Sequence, residues 1–392
     1  MPKTSIYSKY GLIGDNLELK KNISIEIDKD GKINKISCDN ITNNIDISRK
    51  GRSTLLVPGL INSHIHIGDC FAKEEGFNKD LIDIVAPPNG LKHKLLNTIS
   101  IEIKIEGIRK AILEMLSNGI TFFVDFRENG LKGVDLLKEI LINSPINKLI
   151  LGRDNNSVDL ESVFNNADGL GFASYQHLSP KSKEKLSILK KKKIYLKKII
   201  ACHDGEISRN DPLFNEIIKD NLINVIIHGT HYTKEDLERI QSRNMSIVLC
   251  PRCNGYFGVG FPPINEINSL KIPVSLGTDN VMANTIDLFE EMRYLYRISR
   301  VLSTDKNVNK ISSKDLLKMV SINAAKIFGL EKEFGSISEG KYADFFLLDL
   351  SDPNYYSYKI DHKSIYPIIV QRSNSENIRK TYIKGEVVFE RK

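Results

Sequence analysis

The chain predicts an α/β fold: a (β/α)8 TIM-type barrel over residues 58–334, joined to a small β-sandwich built from both termini, residues 1–57 and 335–392. Three observations point there. Eight short β-branched runs recur along the middle of the chain, with charged stretches of helical spacing between them. The runs are apolar throughout rather than alternating, as parallel strands covered on both faces must be. Both ends of the chain, by contrast, are rich in short strands and turn residues. About 250 residues is the usual span of such a barrel, and 392 residues leave room for a second, smaller unit.

Taken in order, the first segment holds "ISIEID" and "KDGKINKIS", with Asp30-Gly31 as a hairpin turn. The barrel strands are then "LINSHIH" (60–66), "GITFFVDF" (119–126), "NKLILGR" (147–153), "ADGLGFAS" (167–174), "KKIIACHDGE" (197–206), "NVIIHGT" (224–230), "MSIVLCP" (245–251) and "IPVSLGTD" (272–279). Helices are expected between them, among them "IEIKIEGIRKAILEMLSN" and "KEDLERIQSRN", the second N-capped by Thr233. "APPNGLKH" (86–93) reads as a long loop on the catalytic side. One helix is expected over about 312–329, then strands "ADFFLLDL" and "IRKTYIKGEVVFE", the latter turning at Lys384-Gly385. A doubly wound open sheet is the alternative, but no glycine-rich phosphate loop follows the first strand.

Composition narrows the class. Hydrophobic residues at 41% and charged residues at 27% are ordinary for a globular chain and exclude a disordered or fibrous one. No apolar run approaches the length of a membrane span, and Met1 to Tyr10 is polar, without the apolar core of a signal peptide. A cytoplasmic protein without a membrane partner is therefore expected. Five cysteines, an odd number, argue against a disulfide framework. The net charge of +7 is partly local, in Lys181, Lys183, Lys185, Lys190 to Lys193, Lys197 and Lys198. That cluster lacks the interleaved aromatic platform of a single-strand binder, so a solvated helix face is expected and no nucleic-acid partner.

In barrels of this kind catalytic residues sit at the C-terminal ends of the strands. The first strand ends in His64 and His66, whose side chains, two apart, share a face. The fifth ends in His203, with Glu206 three residues on. The sixth ends in His228, shortly before His231, and the eighth ends in Asp279. Five of the eight histidines thus fall at or just beyond strand ends. Packing explains this poorly, because every buried imidazole needs a hydrogen-bond partner. Three imidazoles and a carboxylate suit zinc or iron(II) and leave room for water.

The stretches "PGLINSHIH", "HDGE", "IIHGTH", "LCPRCN" and "LGTDN", with "SINAAKIFGL" and "GSISEGKYADFFLLD" further on, resemble the amidohydrolase superfamily over nearly the whole chain. Within it the chain is most similar to the cytosine, guanine and adenosine-type deaminases. The resemblance implies one divalent metal, zinc first and iron or manganese as alternatives, held by His64, His66, His203 and Asp279. Glu206 would then be the acid/base residue, His228 would position the water and Asp279 would accept its proton. Dinuclear members carry a carboxylated lysine on the fourth strand, and "ADGLGFAS" has none. The seventh strand departs from the family's His-Xaa-Pro, ending in Cys250-Pro251. "CPRC" spells a CxxC, which is a redox or zinc pair in other settings, but no second pair accompanies it, so Cys250 is expected to pack as a small hydrophobe.

The expected function is a metal-dependent aminohydrolase that releases ammonia from an amino-substituted heterocycle, a purine, pyrimidine or pterin-like ring. The "HxxE" spacing favours this reading, because Glu206 would supply the acid a ring nitrogen needs; a Glu that merely caps the next helix is the alternative. Hydrolysis of an amide, guanidine or chloro-heterocycle, or a catalytically idle binding protein, are the competing functions. Arg127, Glu128, Arg153, Gln176 and His177, at or beyond the ends of strands two to four, are expected to contact substrate. An internal Arg–Glu pair is the competing reading for Arg127 and Arg153. Phe71, Tyr256 and Phe257 are candidates to stack on the ring, and Lys92 and His93 to close over it. His231 is expected to leave the strand axis and not to bind metal. A homo-oligomer is left open.

Overall fold

The computed structural model describes residues 4–41, 45, 53–153, 160–191, 198–303, 310–357 and 359–392. Lys192, Lys193 and Lys197 of the lysine-rich segment lie outside these. The strands are β1 (Thr4–Ile13), β2 (Glu18–Ile27), β3 (Ile33–Asn40), β4 (Thr54–Pro58), β5 (Leu60–His66), β6 (Ile120–Arg127), β7 (Asn147–Gly152), β8 (Gly169–Phe172), β9 (Ile199–Asp204), β10 (Val225–His228), β11 (Ser246–Leu249), β12 (Val274–Leu276), β13 (Asp279–Asn280), β14 (Phe345–Asp349), β15 (Ile378–Ile383) and β16 (Glu386–Glu390). They form two sheets. One runs β12-β11-β10-β9-β8-β7-β6-β5-β13, and its strands pair in parallel throughout. Every residue of β5 and β6 is buried, which is why those runs are apolar end to end.

The nine-stranded sheet curls in the manner of a TIM barrel. β12 and β13 lie at its opposite ends, yet only Gly277 and Thr278 separate them in the chain. Asn62 of β5 bonds Thr278 twice, Nδ2 to Oγ1 at 2.8 Å and Oδ1 from the amide at 3.1 Å. Gly277 allows the close approach there, since a Cβ would fall 2.6 Å from the backbone of His64. The eighth strand of the sequence pattern is thus broken in two, and its second piece carries Asp279 to the first strand.

The other sheet gathers both termini in the order β16-β15-β14-β4-β1-β2-β3. It is one mixed seven-stranded sheet, not the two separately bonded layers of a sandwich. Alternation along its strands feeds two cores: Leu55, Val57, Phe346 and Leu348 join the main core, while Leu56 and Phe345 pack with Ile25 and Ile27. The expected turn between β15 and β16 forms, with Lys384 at φ 51° and Gly385 at φ 76°, a primed geometry that suits a tight hairpin.

Two helical readings change. Residues 86–93 are not simply a loop: α1 (Leu81–Val85) and α2 (Leu91–Thr98) frame them, before α3 (Ile101–Ser117). The helix expected at about 312–329 is two, Ser313–Met319 and Ile322–Ile327. Between them the carbonyl of Val320 accepts from the amide of Ile61 at 2.8 Å, so a barrel strand takes the bond that helix continuation would use. Thr233 caps Lys234–Ser242 in a reciprocal box with Asp236. Among the described residues no helix is long and apolar enough to cross a membrane.

Candidate metal centre and active site

The strand ends converge on one cluster. One ligand atom each from His64, His66, His203 and Asp279 lies within 4.8 Å of the others. The Nε2 atoms of His64 and His203 face each other at 3.2 Å. Asp279 Oδ1 lies 3.1 Å from His64 Nε2 and 3.5 Å from His66 Nε2. Two of these imidazoles are oriented from behind. His66 Nδ1 donates to Glu128 Oε1 at 2.9 Å and lies 3.2 Å from the Phe126 carbonyl, and His203 Nδ1 donates to the Phe172 carbonyl at 2.8 Å. A ring whose Nδ1 carries the proton presents Nε2 as a lone pair.

The four residues fit a divalent metal. Two lone pairs facing at 3.2 Å repel unless a proton or a cation lies between them. Nitrogens about 2.0–2.1 Å from a tetrahedral zinc are about 3.3–3.4 Å apart, close to the spacing seen. Asp279 Oδ2 is buried and has no hydrogen-bond partner among the described residues. Burial keeps the imidazoles neutral, as ligands must be: His64 falls, His66 falls to about 3, and His203 falls well below the ordinary value, pushed further by its neighbouring imidazoles.

Glu206 and His228 stand beside this cluster. His228 Nε2 is 3.4 Å from Glu206 Oε1 and 3.9 Å from Asp279 Oδ2. Its Nδ1 meets Asn254 Oδ1 at 3.0 Å, and Asn254 Nδ2 donates to Thr230 Oγ1 at 2.7 Å. His228 and Asp279 both adopt left-handed backbone, φ 77° and 61°, which costs energy for residues with a Cβ and recurs where function fixes a side chain. The Glu206 side chain is 17% exposed, opening on the cavity. Burial, and then the charge of Asp279, raise its carboxyl well above the usual range.

The cavity above the cluster measures about 220 Å³. It is lined by Arg153, Ser174, Gln176 and His177 and, from one stretch of chain, by Leu81, Ile82, Val85, Ala86, Pro87, Lys92 and His93. Arg153, Gln176 and His177 thus face the space a substrate would fill. Arg127 and Glu128 do not line it. Arg127 Nη2 donates to Glu128 Oε2 at 2.8 Å, and the pair is buried behind His66. Phe71, Tyr256 and Phe257 are likewise not part of the lining, and the Tyr256 hydroxyl meets Glu74 at 3.2 Å. His231 turns away, its Nε2 donating to the Val259 carbonyl at 2.7 Å. Cys250 and Cys253 are both free and buried in an apolar cluster. Sequence reasoning missed Asn254, Asn280 and Asp69. Asn254 and Asn280 stood inside the quoted motifs, but nothing in a sequence says which nitrogen of a histidine needs an acceptor.

Comparison with known proteins finds matches along nearly the whole chain. The model of the amidohydrolase family matches residues 55–205 and 189–388. A protein of Methanothermobacter thermautotrophicus, provisionally named an aminohydrolase, is 32% identical over 393 residues, covering 94% of each chain. A 5-methylthioadenosine/S-adenosylhomocysteine deaminase of Thermoanaerobacter pseudethanolicus is 28% identical over 405 residues, covering 94% of this chain and 89% of its own. Among solved structures, an adenosine deaminase from Xanthomonas campestris with bound zinc superposes with a TM-score of 0.80 at 16% identity, covering 98% of this chain and 92% of that one. That likeness is one of fold.

Proposed function

The chain belongs to the amidohydrolase family, and from that premise we propose that it is an aminohydrolase that deaminates an amino-substituted heterocycle. Residues 58–334 carry the chemistry, and the segments 1–57 and 335–392 serve as its accessory β-unit, in a cytoplasmic enzyme. His64, His66, His203 and Asp279 would hold one divalent metal, with zinc the first choice. β8 reads Gly-Leu-Gly-Phe and offers no lysine to bridge a second ion. When bound, such a metal lowers the pKa of water from 15.7 to about 7 and so supplies a nucleophile at neutral pH.

The observation that carries the reading is the place of Glu206: a carboxyl on the cavity side of the cluster, 3.4 Å from His228 Nε2, where burial favours its protonated form. A ring nitrogen next to an attacked amidine carbon must gain a proton as the C–O bond forms. Glu206 supplies that proton. His228, its Nδ1 fixed by Asn254, orients the attacking water. Asp279 takes the water's proton at Oδ2, the oxygen without a partner, and returns it to the exocyclic nitrogen. The C–N bond then breaks as the adduct's hydroxyl proton passes to Glu206, which regains its starting state; ammonia leaves, and the ring keeps a carbonyl. Arg153, Gln176 and His177 would read the far edge of the ring. Arg127 and Glu128 would serve behind His66 rather than on the substrate.

The test is ammonia release from a panel of amino-purines, amino-pyrimidines and pterins, beside a panel of N-acyl amides and chloro-triazines, with metal-loaded protein. Turnover confined to the amides or chloro-compounds would replace the deaminase reading.

A further inference from the structure

Lys92, in the first turn of α2, is 3% exposed. A buried ammonium is costly unless it is paired. Three oxygens surround this one: Glu128 Oε1 at 2.7 Å, Asp69 Oδ2 at 3.2 Å and Asn280 Oδ1 at 3.2 Å. Its charged end is thus paired with two carboxylates and an amide oxygen of the protein, and the residue also borders the cavity. Burial pulls its pKa down, but Glu128 and Asp69 outweigh that and raise it, so the charge stays.

Each of the three oxygens belongs to a residue tied to the centre. Glu128 Oε1 also accepts from His66 Nδ1, and Glu128 Oε2 is held by Arg127. Asn280 Nδ2 donates to Asp279 Oδ1 at 3.1 Å. Asp69 Oδ1 accepts the amides of Val281 and Met282 at 3.0 and 3.2 Å. At its other end Lys92 is part of α2, and Leu81, Val85, Pro87 and His93 of the 81–93 stretch line the cavity.

We propose that Lys92 is a positioning residue with two attachments: through Glu128 it fixes His66 with Nε2 turned to the metal cluster, and through α2 it holds the 81–93 wall against the strand ends. The inference rests on the reading of His64, His66, His203 and Asp279 as a metal centre, and so that reading is checked first. Metal-free wild type titrated with Zn2+ should bind one equivalent; failure there overturns the metal reading itself and leaves the wall attachment to be judged by hydrogen exchange.

The experiment is a cycle of Lys92→Met, Glu128→Gln and the double variant. Zn2+ affinity is read by chelator competition, and backbone hydrogen exchange is read across 81–98. Loss of a group behind a metal-binding histidine typically weakens metal binding about 10–100-fold. Lys92→Met should fall in that range and should speed exchange in the wall. Because Lys92 acts on the metal through Glu128, the double variant should bind Zn2+ about as Glu128→Gln does, the two effects failing to multiply. Wild-type Zn2+ affinity in Lys92→Met, effects that multiply, or unchanged exchange in 81–98 would overturn the proposal. If Lys92→Met does not fold, Lys92→Gln is put through the same cycle and judged by the same outcomes.

Discussion

The two ends of the parallel sheet treat buried polar groups in opposite ways. At the C-terminal ends of its strands, His64, His66, His203 and Asp279 point ligand atoms at a shared centre, and Asp279 Oδ2 is left without a partner. Two residues there, His228 and Asp279, sit in left-handed backbone. At the N-terminal ends, Asp344 is also buried, but it is fully answered. Its Oδ2 accepts from Asn147 Nδ2 at 2.6 Å, its Oδ1 from the Lys384 amide at 2.8 Å, and its carbonyl from the Gly59 amide at 3.0 Å. Those bonds join the β4–β5 junction, the start of β7 and the β15–β16 hairpin. One end leaves a buried carboxylate oxygen unsatisfied beside its ligand atoms; the other spends its polar groups on holding two sheets together.

If that division is right, changes at the catalytic end should cost function while the fold survives. The largest effect is expected from His203→Ala. Removing one ligand from a four-ligand site should take bound metal below roughly a tenth of the wild-type content and abolish turnover, with circular dichroism unchanged. Metal analysis of the purified variant checks it. Next comes Glu206→Gln, which keeps the shape but cannot deliver a proton. Turnover should drop by about 10²–10⁴-fold at unchanged metal content, measured on the best substrate of the ammonia screen. Near-wild-type turnover would remove Glu206 from the mechanism and bring the amide-type hydrolase forward. A smaller change is expected from His177→Ala in the lining of the cavity. Burial, and then Arg153, lower the His177 pKa, so the ring acts as a neutral hydrogen-bonding group. Losing one such contact, worth about 0.5–1.5 kcal/mol, should raise KM up to about tenfold and leave metal content and kcat nearly unchanged.

The same contrast explains what was legible in the sequence. The strands and the gathering of four residues could be read because both are local: apolar runs mark strands covered on two faces, and His64, His66, His203 and Asp279 each end such a run. The roles of the supporting residues are not local. Glu128 looked like a substrate contact because it follows a strand, yet its partners, His66, Lys92 and Arg127, decide its place, and Lys92 comes from a helix that was read as loop. The split of the last barrel strand at Gly277 and Thr278 is set by the approach of His64, more than two hundred residues earlier in the chain. The single terminal sheet was missed for a like reason, since pairing between β1 and β4, and between β4 and β14, leaves no mark in either strand's own pattern.

The smallest effect on turnover, and the one that tests the other end, concerns Asp344. Burial pushes its carboxyl from 3.8 to about 7, against the pull of the Lys384 amide and side chain and of Asn147. The folded state therefore binds this proton more tightly than the unfolded chain does. For a group whose folded pKa is raised, the stabilisation is complete below the unfolded value, near pH 4, and is lost as pH rises through the folded value, near 7. The gap corresponds to a few kcal/mol at most, on the order of 1.4 kcal/mol per pKa unit. Wild type should thus lose stability from this site between about pH 4 and pH 7, where a typical surface carboxylate contributes almost no slope. Asp344→Asn cannot ionise, so the difference in denaturation midpoint between variant and wild type should shift in the variant's favour as pH rises across that window, and the activity per folded molecule should not change. A difference that stays flat with pH would mean that Asp344 is ionised in the folded protein, and that the N-terminal end of the sheet, like the catalytic end, shelters a charge.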